Sequence, residues 1–380
     1  MRRPASPKIN RLIRAKLEPL RVETCSIRGQ KSPALLCHSL RRCPGLDAPS
    51  GKRSCRHATT LVSISFVTRP VMPPHSASNI VVVGSLNLDI VMRTTRMPVA
   101  GETLSATQSS VQCGGKGANQ ATACAKLGAS VTMIGAVGDD VIGDMLCDGL
   151  HRDGVALSFV TRLARTQSGT AVVALTPDGE NRILIAPGAN ASLGVAHIHT
   201  AESAFSTAQV LLCQLETPLA TVRASLDLAT RYRLTTILNA APAAELDMNL
   251  LARVDILVVN ETEARELCGI DPTDRAEAER AARLLQARGA RFVLITLGAR
   301  GATLLQGDRA THFAAVPADV VDTTAAGDTF VGALAAAIAR GMLLVDAVRF
   351  GMRAAAFCVE HHGAQQAMPT LADLDGINAC

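Results

Sequence analysis

The chain reads as an α/β protein, with a mainly parallel central sheet covered by helices and a smaller β-sheet projecting from it. Two observations predict this. From Val131 onward, short apolar runs rich in β-branched residues alternate with longer helix-like ones, the pattern of strands joined by crossover helices. Two stretches, 88–113 and 168–187, break that rhythm and read instead as short strands joined by turns.

Residues 1–77 come first and have no convincing period. They hold fifteen Lys and Arg against three Asp and Glu, a balance of +12. The remaining residues, 78–380, hold twenty-three against thirty, a balance of −7. The net +5 is therefore a basic arm added to a mildly acidic body, and the whole-chain charge says nothing about nucleic acid. The arm is expected to be a disordered extension. Its Arg- and Ser-rich, acid-poor composition also fits an organelle transit peptide, mitochondrial for example, although Glu18 and Glu23 interrupt it. Without such a transit peptide, the expected compartment is the cytoplasm.

The body begins with Asn79-Ile80-Val81-Val82-Val83-Gly84, an unbroken apolar run closed by glycine, which predicts a strand buried on both faces. Further strands are expected at Val131–Ala136, Val210–Gln214, Thr236–Asn239, Ile256–Val259 and Phe292–Leu297. Helices are expected at Gln120–Leu127, Val141–Asp153, Leu219–Tyr232, Glu261–Cys268 and Arg275–Arg288, then at Ala326–Arg340 and Leu344–His361. Turns at Pro98-Val99-Ala100-Gly101 and Pro177-Asp178-Gly179-Glu180 divide the two irregular stretches. No apolar run reaches about 18 residues; Val331–Val345 is broken by Arg340. A soluble protein with no membrane partner is therefore expected. The eleven Cys are odd in number and scattered, which suits reduced thiols rather than a disulfide framework. Trp is absent and aromatics are few, so base stacking has little to work with and no nucleic-acid partner is expected.

The strongest chemical signal is Asp322-Thr323-Thr324-Ala325-Ala326-Gly327-Asp328, leading directly into an apolar helix. Small residues at a helix start leave backbone N–H groups free to hold an anion. Asp328 on the same turn could take a proton from an attacking hydroxyl. An anion cradle beside a base is what phosphoryl transfer to an alcohol needs. A second motif, Cys113-Gly114-Gly115-Lys116-Gly117-Ala118-Asn119-Gln120, allows close backbone approach to a ligand and carries one of the body's two lysines. It is not a Walker loop. Asn87-Leu88-Asp89 follows the first strand at its carboxyl end, where ligands bind open α/β sheets; its Asn and Asp could grip vicinal hydroxyls, or form an ordinary Asx turn. Asn260-Glu261-Thr262-Glu263 follows another buried strand and fits equally a capping box and a group orienting Mg²⁺-bound phosphates. Thr296-Leu297-Gly298-Ala299-Arg300-Gly301 is a glycine-bounded loop suited to a nucleotide, or a plain turn between strands. Adjacent His361 and His362 point to opposite sides, so a shared ion is not expected.

Taken together, G-G-K-G-A-N-Q at 114–120, Q-L-E-T-P at 214–218, N-E-T-E at 260–263, T-L-G-A-R-G at 296–301, D-T-T-A-A-G-D-T-F at 322–330 and G-A-Q at 363–365 resemble the PfkB (ribokinase-like) family of sugar kinases. The resemblance covers residues 79 to about 370. It implies a three-layer αβα sandwich with a β-sheet lid that often builds a homodimer, and ATP-dependent phosphorylation of D-ribose at its 5-hydroxyl. By position it implies that Asn87, Leu88, Asp89, Gly115, Lys116, Gly117, Ala118, Asn119 and Glu216 surround the sugar. Asp328 would be the base, and Ala325, Ala326 and Gly327 the anion hole. Asn260, Thr296, Leu297, Gly298, Ala299, Arg300, Gly301 and Met352 would line the nucleotide site, with Glu263 tied to Mg²⁺ and phosphate. A monovalent cation, usually K⁺, is implied beside the anion hole. Asp322 would bind it by side chain, and Thr324, Cys358, His361 and Gly363 by backbone carbonyls. Two departures stand out: Ala367 where the family often has a Ser ligand, and Met352 where His or Asn often meets the adenine region.

Overall fold

The computed structural model describes residues 79–176 and 181–376. The basic arm and the Pro177–Glu180 turn therefore lie outside the described residues. Among the described residues, thirteen strands form two sheets. They are β1 (Asn79–Val83), β2 (Asn87–Arg93), β3 (Gln108–Gly114), β4 (Ser130–Gly138), β5 (Ala156–Leu163), β6 (Gly169–Leu175), β7 (Asn181–Ala186), β8 (Val210–Cys213), β9 (Thr235–Asn239), β10 (Ile256–Val259), β11 (Phe292–Thr296), β12 (Ala302–Gln306) and β13 (Arg309–Phe313). The large sheet runs β13-β12-β11-β10-β9-β8-β1-β4-β5, and the small one β3-β2-β6-β7.

From β11 to β5 every neighbouring pair in the large sheet is parallel. The antiparallel pairs β11–β12 and β12–β13 close one edge. Alternation along the strands feeds two separate cores. In β1, Val81 and Val83 join one apolar cluster while Ile80 and Val82 join the other. Leu257 and Val259 of β10 face the first, Ile256 and Val258 the second. Period-2 side-chain geometry makes a wholly apolar strand the signature of a sheet covered on both faces. The result is the expected three-layer sandwich with a separate small sheet.

Both lid segments form strands as expected, and Val99 accepts from Glu102 N at 3.1 Å to close the first turn. The lid is rooted in the body by Asp140. Its carboxylate caps the Val141–Arg152 helix through Gly143 N (2.7 Å) and takes Ser168 N (2.8 Å) and Oγ (2.6 Å) just before β6.

One helix departs from expectation. The helix foreseen from Gln120 starts at Lys116 and runs to Lys126, because Gly115 adopts φ 87° and releases the chain from β3 directly into the turn. A Cβ at Gly115 would also lie 2.7 Å from Asn87 N, so the motif's glycines let this helix start press against the end of β1.

The parallel strands β1, β8, β9, β10 and β11 all end at one edge. The strand order diverges between β1 and β8, since the chain proceeds to β4 on one side and to β8–β11 on the other. That divergence creates a crevice, the usual ligand position in open parallel sheets.

Candidate active site

Asp328 lies in the first turn of the Ala326–Ala339 helix, facing this crevice. The turn before it is held by Ala325, a non-glycine residue with φ 59°, a conformation that persists only where the surroundings enforce it. First-turn N–H groups have no intrahelical acceptor, and only Ala326 N finds a weak one, Thr323 O at 3.3 Å. A Cβ on Gly327 would meet nothing within 4 Å, so the space before these donors is open. The Asp328 carboxylate is itself buried, 8% exposed. Its Oδ2 accepts from Asn119 Nδ2 and its Oδ1 from Gln120 Nε2, each at 2.9 Å.

A cavity of about 420 Å³ opens here. Lys116, Asn260, Glu263, Thr296, Ala325, Ala326, Gly327 and Asp328 line it, together with Asn239 and Thr323. Asn260 and Glu263 form a capping box. Asn260 Oδ1 accepts from Glu263 N (2.8 Å), and Glu263 accepts from Asn260 N (2.8 Å) and Nδ2 (3.1 Å). The capping-box reading of this motif holds, and both residues line the cavity. Burial pushes the Glu263 carboxyl above its usual range, against the pull of Asn260 N–H and Lys116.

Glu216, just past β8, accepts from Lys116 N (3.1 Å) and from Ser85 Oγ. Asn87 Oδ1 accepts from Asn190 Nδ2 at 2.8 Å, and the same Asn190 grips both backbone polar atoms of Leu86. Asn87, Asn190 and Glu216 line a second cavity of about 370 Å³, with Ile185 and Pro187 from the end of the lid. Asp89 stands over the backbone of Gly114, where a Cβ would collide with its carboxylate. Burial, then repulsion from Glu216 and Asp328, raises the Asp89 carboxyl from 3.8 to about 7 against the attraction of Lys116. Burial pulls the Lys116 ammonium down, but Asp328, Glu216, Glu263 and Asp89 outweigh it and leave the group above its usual value. Leu88 and Ala118 are core residues, and Gly117 packs its backbone on Ser85.

The remaining predicted positions are placed as follows. Of the 296–301 loop, only Thr296 lines the large cavity. Leu297 N donates to Gly301 O (2.8 Å), and Arg300 pairs with Glu261 (3.1 Å) and Pro272 O (2.9 Å), so the loop is a tight turn tied to the Glu261–Cys268 helix. Ala299 is exposed within it. Met352 packs against the apolar core from the Leu344–Val359 helix and lines neither cavity.

Several residues of the expected cation set lie together. Asp322 accepts from Thr324 N (2.9 Å), Thr324 Oγ1 (2.6 Å) and Gly363 N (3.1 Å). These bonds hold its carboxyl below the usual range even though burial pushes the other way. Cys358 Sγ lies 3.8 Å from Thr324 O, and Ala367 packs beside Cys358. The His361 ring stacks on Phe357, leaving its backbone as the part that belongs to this loop. Among the described residues no group of three His, Cys, Asp or Glu could hold a metal.

Sequence reasoning assigned no role to Gln120, Gln214, Asn239 or Gln365, although all but Asn239 lie in quoted motifs. Their common signal is position: Gln214 and Asn239 stand at carboxyl ends of β8 and β9.

The match to the family model for pfkB family carbohydrate kinases spans residues 77–371. The chain belongs to this family. It is 38% identical over 308 residues to a ribokinase from Schizosaccharomyces pombe, covering 78% of this chain and 97% of that one. A deoxyribokinase from Salmonella typhi is 36% identical over 296 residues, covering 77% and 96%. The solved structure of Arabidopsis thaliana ribokinase, complexed with ribose and ATP, superposes with TM-score 0.74 at 33% identity, covering 80% of this chain and 99% of that one.

The Asp89 shift carries a stability consequence. Its folded-state pKa lies above the unfolded value, so its contribution is complete below about pH 4 and lost as the pH rises through about 7. Unfolding free energy of the ligand-free protein is expected to fall across that window, and Asp89→Asn to flatten the fall. Urea unfolding at half-unit pH steps checks this; equal slopes in the two proteins would contradict it.

Proposed function

We propose that the chain transfers the γ-phosphoryl group of ATP to O5 of D-ribose, giving D-ribose 5-phosphate and ADP. The observation that carries this reading is the placement of the Asp328 carboxylate on the helix turn whose free N–H groups face the large cavity, with Lys116 on the same wall. Asn87, Asp89 and Glu216 adjoin it and supply hydroxyl-binding groups. Asn87 Oδ1 is taken by Asn190, which leaves its Nδ2 to donate to a sugar oxygen. Asp89 and Glu216 accept from vicinal hydroxyls. Similarity to relatives named ribokinase, one of them solved with ribose and ATP, supports the same substrate pair.

Asp328 accepts the O5 proton as the O5–phosphorus bond forms and the bond from phosphorus to the leaving oxygen of ADP breaks. The N–H groups of Ala325, Ala326 and Gly327 and the Lys116 ammonium stabilise the charge that grows on the transferring oxygens. Asn260, Thr296 and the turn Leu297–Gly301 bound the nucleotide side. Mg²⁺ bound with the nucleotide would neutralise phosphate charge, and Glu263 would orient its water shell. K⁺ would be held by Asp322 and the carbonyls of Thr324, Cys358, His361 and Gly363, with water in place of a side-chain ligand at Ala367.

The lid exposes Met92, Val111, Ile183, Leu184 and Ile185, an apolar face that supports a homodimer formed through it. A monomeric mass by light scattering at micromolar concentration would contradict that assembly. No helix among the described residues is long and apolar enough to cross a membrane. Free thiols such as Cys124, Cys213 and Cys358 suit the cytoplasm or another reducing compartment.

Similarity to a deoxyribokinase makes 2-deoxyribose the specific rival substrate. Asp328→Ala is expected to lower kcat by about 100- to 10,000-fold while ribose still binds in calorimetry. Near-normal turnover of the variant would remove Asp328 as the base. A higher kcat/KM for 2-deoxyribose than for ribose in the parent protein would reassign the substrate.

A further inference from the structure

Asp328 is held by two amides, and each amide is itself held by a buried glutamine. Asn119 Nδ2 donates to Asp328 Oδ2 (2.9 Å), and Asn119 Oδ1 accepts from Gln365 Nε2 (3.2 Å). Gln120 Nε2 donates to Asp328 Oδ1 (2.9 Å) and to Asn239 Oδ1 (3.0 Å), and Gln120 Oε1 accepts from Gln214 Nε2 (2.6 Å). All four amide side chains are at least nine-tenths buried.

The chemistry of the groups fixes the direction of these bonds. A carboxylate only accepts, so each amide must present its NH₂ end to Asp328 and its oxygen away. An amide can rotate end for end at almost no cost in volume. Asp328, and for Gln120 also Asn239 Oδ1, holds the NH₂ end; a donor on the oxygen side completes the hold, and Gln365 and Gln214 are those donors. Gln214 keeps this orientation although its own Oε1 is buried without a hydrogen-bond partner, a departure from normal satisfaction of buried polar atoms. Gln365 is fixed in turn by Lys126, whose Nζ donates to Gln365 O (2.6 Å) and Met368 O (3.4 Å). The Lys116–Lys126 helix thus carries the first amide pair at one end and, at the other, the clamp on the loop that orients one of them.

We infer that Gln365 and Gln214 are positioning residues for phosphoryl transfer, acting by locking the Asn119 and Gln120 amides with their N–H groups on Asp328. The lock keeps both carboxylate oxygens in one orientation, so the lone pair that meets the sugar hydroxyl is aligned before substrate arrives. This rests on the reading of Asp328 as the base, and the Asp328→Ala measurement tests that reading separately.

The test uses the full chain with D-ribose and ATP. Gln365→Met keeps the volume and removes the donor. Gln365→Glu keeps the shape and replaces the amide donor with an acceptor. Both variants are expected to lose about 10- to 100-fold in kcat at neutral pH with ribose KM changed less than about three-fold. Gln214→Met should show the same split between kcat and KM. A kcat within about two-fold of the parent would overturn the inference while leaving Asp328 as base. Failure of both Gln365 variants to fold would make Gln365 a structural residue and overturn it as well.

Discussion

Four carboxylates gathered around one ammonium in a desolvated crevice are the constraint on which the rest of this site depends. Asp89, Glu216, Glu263 and Asp328 all act on Lys116. Left to themselves they would repel, and burial adds to the cost of each charge. The fold meets that cost residue by residue. Glu216 takes Lys116 N and Ser85 Oγ, Glu263 takes both nitrogens of Asn260, and Asp328 takes two amides. Asp89 has the weakest compensation, and its carboxyl rises to about 7. Such a balance suits a site whose partners, a polyhydroxyl sugar and a polyphosphate, bring donors and further negative charge.

The same edge of the sheet supplies all of these groups because parallel strands place their carboxyl ends together. β1 leads to Ser85 and Asn87, β8 to Gln214 and Glu216, β9 ends on Asn239, and β10 leads to Asn260 and Glu263. Opposite them, the Lys116 and Ala326 helices begin with glycine-rich or small-residue turns; the first spends its leading N–H groups on Glu216 and Ser85, while the second leaves its own largely free. Asn119 and Gln120 bridge these two helix starts through Asp328 at sequence separations above 200 residues.

Much of this was legible beforehand, for physical reasons. β1 and β10 are apolar on both faces, and only a two-sided core explains that pattern. The lid segments announced themselves by breaking the βα rhythm, and the turn before Asp328 by small residues at a helix start. What escaped was non-local or irregular. β5 (burial alternating and half-exposed) and the antiparallel pair β12–β13 at the opposite edge lack the continuous apolar runs of central strands. The Lys116 helix began four residues before the expected Gln120, because a glycine run hides a helix start that tertiary contact with the end of β1 imposes. Gln214, Asn239 and Gln365 reach their partners across 94, 119 and 246 residues, and no local pattern encodes such pairing.

The central claim is that Asp328 activates one particular hydroxyl of a sugar. The most direct measurement is ³¹P NMR of the product formed from D-ribose and ATP by the full chain. A single phosphomonoester is expected, its phosphorus coupled to the two protons of a CH₂ group, as in a 5-phosphate. A phosphate coupled to the anomeric proton, or ADP formed without any sugar phosphate, would contradict it.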